Sequence, residues 1–239
     1  MALFITFEGG EGSGKDTQAH VLVERLRKQK KWGVSYAQEP GTTPIGKRVR
    51  EWLSEPDRPL TIIPGKPTQL SLDITNDKSP IHLQANSPLA ELLVFTLARS
   101  QLVEDFIIPK LRSNSIVVCN RYADSTTAYQ GYGRGLDLKL VELANNIATQ
   151  GTKPNLTILL DLPPENGLIR KFGVEIKDNF ENAELNFHKK VREGYLKLAA
   201  AEPERWLVID ATQPKDEIAK IILERVRTLL SAVPPPASA

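Results

Sequence analysis

Leu3-Phe-Ile-Thr-Phe-Glu-Gly-Gly-Glu-Gly-Ser-Gly-Lys15 is the stretch that decides the fold. Its first part, Leu3-Phe-Ile-Thr-Phe7, is β-prone and almost wholly apolar, as a strand covered on both faces is. It runs without a break into Gly9-Gly-Glu-Gly-Ser-Gly-Lys15, which fits G-x-x-x-x-G-K, and Val21, Leu22, Arg25 and Leu26 then mark a helix. Strand, glycine loop and helix in this order let backbone N–H groups wrap a polyphosphate at a helix N-terminus. Glycine is needed because the backbone turns through positive φ and approaches the phosphate with no Cβ in between. The candidate polyphosphate set is therefore Gly9, Gly10, Glu11, Gly12, Ser13, Gly14, Lys15, Asp16 and Thr17, with Lys15 as the mobile charge for the β- and γ-phosphate oxygens. A glycine-rich turn without a ligand is the plain alternative, and the spacing, the lysine and the context argue against it.

Outward from this loop, the same strand character recurs at Ser115-Ile-Val-Val-Cys119, Leu156-Thr-Ile-Leu-Leu160 and Trp206-Leu-Val-Ile209, and more weakly at Val34-Ser-Tyr-Ala37. Between these runs, helical spacing appears at Leu89, Leu92, Leu93 and Leu97, then at Leu136, Leu140, Leu143, Ala144 and Ile147. It returns at Leu185, His188, Val191, Tyr195 and Leu198, and at Ile218, Ile221, Ile222, Leu229 and Leu230. Strands alternating with helices predict an open, doubly wound α/β fold: a five-stranded parallel sheet with helices on both faces. Residues 55–88 interrupt the rhythm with six of the chain's 17 prolines, which continue neither a helix nor a central strand, and read as an insertion. Pro234-Pro-Pro236 belongs to a tail over 232–239, leaving one domain over 1–231.

Composition narrows the class. The chain has 239 residues, 41% of them apolar, and a net charge of +2. That is the make-up of a globular domain, and its near-neutral balance argues against a protein that coats nucleic acid. A single cysteine, Cys119, excludes an intramolecular disulfide framework and suits a reducing compartment. No apolar run reaches the ~18 residues of a membrane span, and no signal peptide is expected, so a cytoplasmic protein away from membranes is the expectation.

The residue after the loop lysine is ordinarily Ser or Thr, whose hydroxyl ligates Mg²⁺. Here it is Asp16, a carboxylate that suits a hard cation but also repels phosphate. Several arginines and aromatics lie where strand ends should fall. Glu39-Pro-Gly41 and Arg50 follow the second strand, and Asn120-Arg-Tyr122 and Ser125-Thr-Thr-Ala-Tyr-Gln-Gly131 follow the third. Phe95 and Arg99 stand one helical turn apart and share a face, a ring for a base beside a guanidinium for a phosphate.

These residues carry a resemblance. The chain resembles the thymidylate kinases, bacterial type, over nearly its whole length except the insertion and the tail. The carriers are Phe7-Glu-Gly-Gly-Glu-Gly-Ser-Gly-Lys15, Glu39-Pro-Gly41, Phe95 with Arg99-Ser-Gln101, Arg121-Tyr122 and Ala128-Tyr-Gln-Gly-Tyr-Gly-Arg-Gly-Leu136. Lys153-Pro-Asn-Leu-Thr-Ile-Leu-Leu-Asp161, Asp178-Asn-Phe-Glu181 and Phe187-His-Lys-Lys-Val-Arg-Glu-Gly-Tyr195 complete the set. The resemblance implies a P-loop nucleoside-monophosphate-kinase fold, ATP as donor, dTMP as acceptor, Mg²⁺ as cofactor and a homodimer. It implies Lys15, Arg121, Glu11 and Arg170 as the catalytic set, with Glu11 facing the acceptor sugar. For dTMP it implies Glu39, Arg50, Phe95, Arg99, Arg121, Thr126, Tyr129 and Gln130. Phe95 stacks on thymine, Thr126 and Gln130 meet the base edge, Tyr129 lies against the deoxyribose, and Arg50, Arg99 and Arg121 take phosphate. Residues 169–181 resemble the lid, whose basic candidates are Arg170, Lys171 and Lys177.

Two departures bear on the metal. The family usually carries Asp-Arg-Tyr where this chain has Asn120-Arg-Tyr122, and one acid lost at 120 with one gained at 16 would leave the local charge unchanged if both side chains face the ion. Asn179 also replaces the arginine usual after Asp178, which leaves the lid sparsely basic. The rival readings are a kinase for another pyrimidine monophosphate such as dUMP, and a nucleotide-binding protein with little turnover. A P-loop motor or switch fits poorly with a base pocket.

Overall fold

A computed structural model describes residues 2–54, 87–173 and 179–231. Most of the 55–88 insertion, residues 174–178 of the lid segment with Lys177, and the 232–239 tail lie outside the described residues.

Five strands form the sheet: β1 (Leu3–Glu8), β2 (Val34–Gln38), β3 (Ile116–Asn120), β4 (Leu156–Asp161) and β5 (Trp206–Asp210). They are ordered β2-β3-β1-β4-β5 and every pairing is parallel. β1 and β3 are buried along their whole length, which accounts for their near-continuous apolar sequence. Side chains on β1 alternate between faces. Leu3, Ile5 and Phe7 pack with Leu22, Leu26, Ile158, Ile222 and Val226 on one side, while Phe4 packs with Val117, Leu102, Ile107 and Tyr122 on the other. Burying each of these large side chains stabilises the fold by about 1.5–3 kcal/mol.

The helices are α1 (Lys15–Lys28), α2 (Pro44–Ser54), α3 (Pro88–Leu102), α4 (Ile108–Arg112), α5 (Ala123–Thr126), α6 (Leu138–Thr149), α7 (Pro164–Phe172), α8 (Asn179–Ala201) and α9 (Lys215–Ser231). π-helical segments at Val103–Ile107 and Thr127–Gly133 continue α3 and α5. Pro88, read from the sequence as part of the insertion, sits in the first turn of α3, where its missing N–H is not needed. Asp137 caps α6 by accepting from the Lys139 N–H at 2.8 Å, and α6 ends where Gln150 takes a left-handed conformation.

Two of the leucine patterns are largely outside the core, Leu92 excepted. On α3, Leu89, Leu93 and Leu97 are 47%, 58% and 54% exposed, and on the adjoining α6 Leu143 and Ile147 are 59% and 71% exposed. Helical spacing identifies an apolar face and does not say what covers it.

Candidate functional site

The strand order reverses around β1, so the loops leaving β1 and β3 diverge beyond their carboxyl ends and leave a crevice there. A cavity of about 570 Å³ occupies it. Of the residues singled out in the sequence, Glu11, Gly12, Ser13, Gly14, Lys15, Asp16, Glu39, Arg50, Phe95, Arg99, Arg121, Thr126, Tyr129 and Gln130 line it. Gly9, Gly10, Thr17 and Arg170 are not in its wall, whereas Asn120, Ser125 and Lys171 are.

At the phosphate-loop end, Gly14 takes φ 86° to start α1, and a side chain there would strain the turn. Lys15 is buried, its Nζ donating to the Gly10 carbonyl at 2.6 Å and to Ser13 Oγ at 3.3 Å. Burial and the nearby Arg121 charge push its pKa down to about 7. Glu11 is the hub of this end. It accepts from Arg121 Nη2 at 2.8 Å, Tyr129 Oη at 3.1 Å and Lys171 Nζ at 2.9 Å. Burial raises its pKa, but Arg121, Lys15 and Lys171 together outweigh it and hold the carboxyl well below the usual range. Arg121 lies over the Tyr129 ring at 4.8 Å. Its backbone is left-handed, φ 68°, a conformation uncommon outside glycine, with its N–H donating to the Phe7 carbonyl at 3.0 Å.

The lid residue chosen from the sequence, Arg170, points elsewhere: its Nη1 donates to the Ala211 carbonyl at 3.1 Å. Its neighbour Lys171 is the basic side chain that reaches Glu11. A helical shift of one residue turns a side chain by about 100°, which sequence reading of a short basic pair does not resolve.

Beneath Arg121 lies a network that the sequence reading missed. Glu8, fully buried at the end of β1, accepts from the Tyr122 N–H at 2.8 Å, from Ser125 Oγ at 2.5 Å and from Tyr195 Oη at 3.0 Å. Burial, with Asp124 nearby, pushes its pKa up to about 7. The network pins the turn that carries Arg121 to β1 and α8. Its one trace in the sequence is a carboxylate closing a largely apolar strand, which does not say what that carboxylate meets.

At the opposite end, Arg99 was expected at the acceptor phosphate, yet it is fully buried and tied to protein groups. It donates to both oxygens of Glu39, the Nε bond measuring 3.0 Å, to Asn145 Oδ1 at 2.6 Å and to Thr126 Oγ1 at 2.7 Å. Its guanidinium thereby orients Thr126, and both residues line the cavity. Gln130 donates to buried Glu91 at 3.3 Å, which also holds Arg134 at 2.9 Å. Phe95, on the same face of α3 as Arg99, lines the cavity beside them.

Asp16 sits at the mouth of the loop. Its Oδ1 accepts from Tyr36 Oη at 2.8 Å and from Asn120 Nδ2 at 3.2 Å. Among the described residues the buried Asn120 Oδ1 has no hydrogen-bond partner, so an oxygen ligand stands beside a carboxylate, a donor pair that suits Mg²⁺. Among the described residues no cluster of three or more His, Cys, Asp or Glu could hold a metal. No helix among the described residues is long and apolar enough to cross a membrane.

Comparison with known proteins agrees with this geometry. The thymidylate kinase family model matches residues 7–62 and 81–222. A thymidylate kinase from Synechococcus sp. (strain JA-2-3B'a(2-13)) is 43% identical over 217 residues, 91% of this chain and 90% of that protein. One from Deinococcus radiodurans is 43% identical over 218 residues, 91% and 93%. The crystal structure of thymidylate kinase from Ehrlichia chaffeensis superposes with a TM-score of 0.68 at 28% identity, covering 94% of this chain and 98% of that one. Sequence, fold and crevice thus agree: the chain belongs to the thymidylate kinase family, phosphotransferases that move the ATP γ-phosphoryl group to dTMP.

Proposed function

We propose that the Lys15–Arg121–Lys171 end of the cavity holds the ATP polyphosphate and the transferring phosphoryl group, and that the Phe95–Thr126–Gln130 end holds thymine. The observation that carries this is the convergence of Arg121 and Lys171 on Glu11, beside Lys15, at one end of a cavity whose other end is aromatic and hydrogen-bonding. Transfer is direct and in line. An acceptor phosphate oxygen is already a nucleophile at neutral pH, so the protein's task is positioning and charge neutralisation. Lys15 takes β- and γ-oxygens, and Arg121 stands between donor and acceptor. Lys171, rather than Arg170, serves as the cation supplied in cis to the transferring group. Glu11, held ionised, orients the acceptor sugar hydroxyl, with Tyr129 against the sugar. Arg50, on the cavity wall, takes the acceptor phosphate. Mg²⁺ would supply charge neutralisation at the phosphates. Asp16 and Asn120 are the residues that would hold it, directly or through water.

The exposed apolar faces of α3 and α6 support a homodimer built across them, since a contiguous apolar surface of this kind marks an association site. A single buried thiol, Cys119, supports a cytoplasmic location. The test of the site reading is a pair of variants. Lys171→Met lowers kcat by about 100-fold or more while the KM for dTMP stays near wild type, as loss of a transition-state contact does. Arg170→Met leaves kcat within a few-fold. The reverse ranking overturns the assignment.

A further inference from the structure

Gly167 lies in the interior of α7, buried, where glycine costs about 1 kcal/mol relative to alanine. A residue that breaks local propensity in this way needs a reason from its surroundings. The reason is a backbone-to-backbone contact with the phosphate loop. A Cβ on Gly167 would stand 2.1 Å from the Glu11 carbonyl oxygen, and a Cβ on Gly12 would stand 2.2 Å from the Gly167 carbonyl oxygen. Both distances fall far below the 3.0 Å that real Cβ contacts respect, and both obstacles are main chain, which cannot swing aside. Gly12 adds a positive φ of 66° on its own side. Each glycine therefore leaves room for the other's backbone, and α7 rests directly on the loop.

Lys171 is one helical turn beyond Gly167 on the same face of α7, with its Nζ 2.9 Å from Glu11 Oε2. Glu11 is thus met twice by α7, at its carbonyl by the Gly167 backbone and at its carboxylate by Lys171. We propose that Gly167 is a positioning residue for phosphoryl transfer: its bare backbone seats α7 on Glu11 and Gly12 and so fixes where Lys171 presents its charge. This rests on the assignment of Lys171 above. A methyl group at 167 pushes α7 off the loop by about 1 Å, a displacement that costs on the order of 100-fold in a positioned reaction. The Phe95, Thr126 and Gln130 side chains, carried by α3, α5 and the segment after it, do not take part in this contact, which meets the acceptor side only through Glu11.

The experiment compares wild type, Gly167→Ala, Lys171→Met and the double variant in ADP release coupled to ATP, Mg²⁺ and dTMP. Gly167→Ala is expected to lose about 100-fold in kcat with the dTMP KM changed by less than about threefold. The double variant is expected to lose no more than the worse single one, because the two changes remove one interaction. A Gly167→Ala enzyme with wild-type kcat, or losses that multiply in the double variant, overturns the proposal. If Lys171→Met alone keeps full kcat, it is the assignment of Lys171 that fails, and any loss in Gly167→Ala then contradicts the route through that lysine. Should Gly167→Ala not fold, hydrogen exchange on the wild-type enzyme decides. Amides 167–171 gain protection together with those of 11–15 when a non-hydrolysable ATP analogue binds; protection of the loop alone overturns the proposal.

Discussion

Asn120 donates its side-chain amide to Asp16 across 3.2 Å, joining the last residue of β3 to the first turn of α1 over one carboxylate. Asn120 stands where the resemblance implies a carboxylate and Asp16 where a phosphate loop ordinarily carries a hydroxyl, and the two side chains touch. If the pair is a metal site with its charge moved, removing the charge from Asp16 weakens Mg²⁺ binding. Restoring it at 120 recovers the loss. Asp16→Asn is expected to raise the Mg²⁺ concentration for half-maximal rate about tenfold, near 1.4 kcal/mol, and Asn120→Asp in that background to reverse it. Calorimetric titration of Mg²⁺ into enzyme with ATP should give the same order. An unchanged Mg²⁺ requirement in Asp16→Asn refutes the exchange.

Lys15, pushed down to about 7 by burial and by Arg121, gives nucleotide binding a pH signature. An arriving polyphosphate favours the ammonium form and raises this pKa. At pH 8 most of the free enzyme is deprotonated at Lys15 and the complex is protonated, so ATP binding takes up close to one proton. Affinity then falls as pH rises above 7, by up to about tenfold per pH unit. Isothermal titration in two buffers of different ionisation enthalpy measures the uptake. A binding heat independent of buffer at pH 8 contradicts the reading.

Arg99 and Glu39 form a buried pair in which each carboxylate oxygen has a guanidinium N–H. Removing one partner strands a charge, so Arg99→Leu is expected to cost about 3–5 kcal/mol in chemical denaturation. Removing both, as Arg99→Leu with Glu39→Leu, recovers much of that stability and no dTMP binding, because Thr126 loses its orienting bond. Equal stability of Arg99→Leu and wild type contradicts the buried pair.

The outward leucines of α3 and α6 make a claim about assembly. Leu93→Glu combined with Ile147→Glu is expected to sediment as a monomer where the wild type sediments as a dimer, since both side chains are more than half exposed on one subunit. A wild-type monomer at micromolar concentration overturns the interface.

The sheet was legible because parallel strands buried on both faces have no solvent side to encode, so Leu3–Phe7 and Ile116–Cys119 stand out as apolar runs. The phosphate loop was legible because its spacing is set by the ligand. The cavity wall away from the phosphate loop was legible only as a set of residues. That Arg99 is hydrogen-bonded to Glu39 and Asn145 depends on an asparagine 46 residues away on α6, which no local pattern links to it. Glu8 and Gly167 stayed hidden for a related reason. Their meaning lies in the backbone opposite them, the Tyr122 N–H and the Glu11 carbonyl, and a backbone atom leaves no mark on sequence. Arg170 and Lys171 diverge on α7, one to the Ala211 carbonyl and one to Glu11, and their order in the sequence does not say which faces the loop.

The most direct test of the account is ADP release by the purified protein with ATP and Mg²⁺, with dTMP run beside dUMP, dCMP and AMP. The site described here turns over dTMP far faster than the other three. Folded protein that binds ATP yet is silent with every acceptor, or that turns over AMP as fast as dTMP, contradicts it.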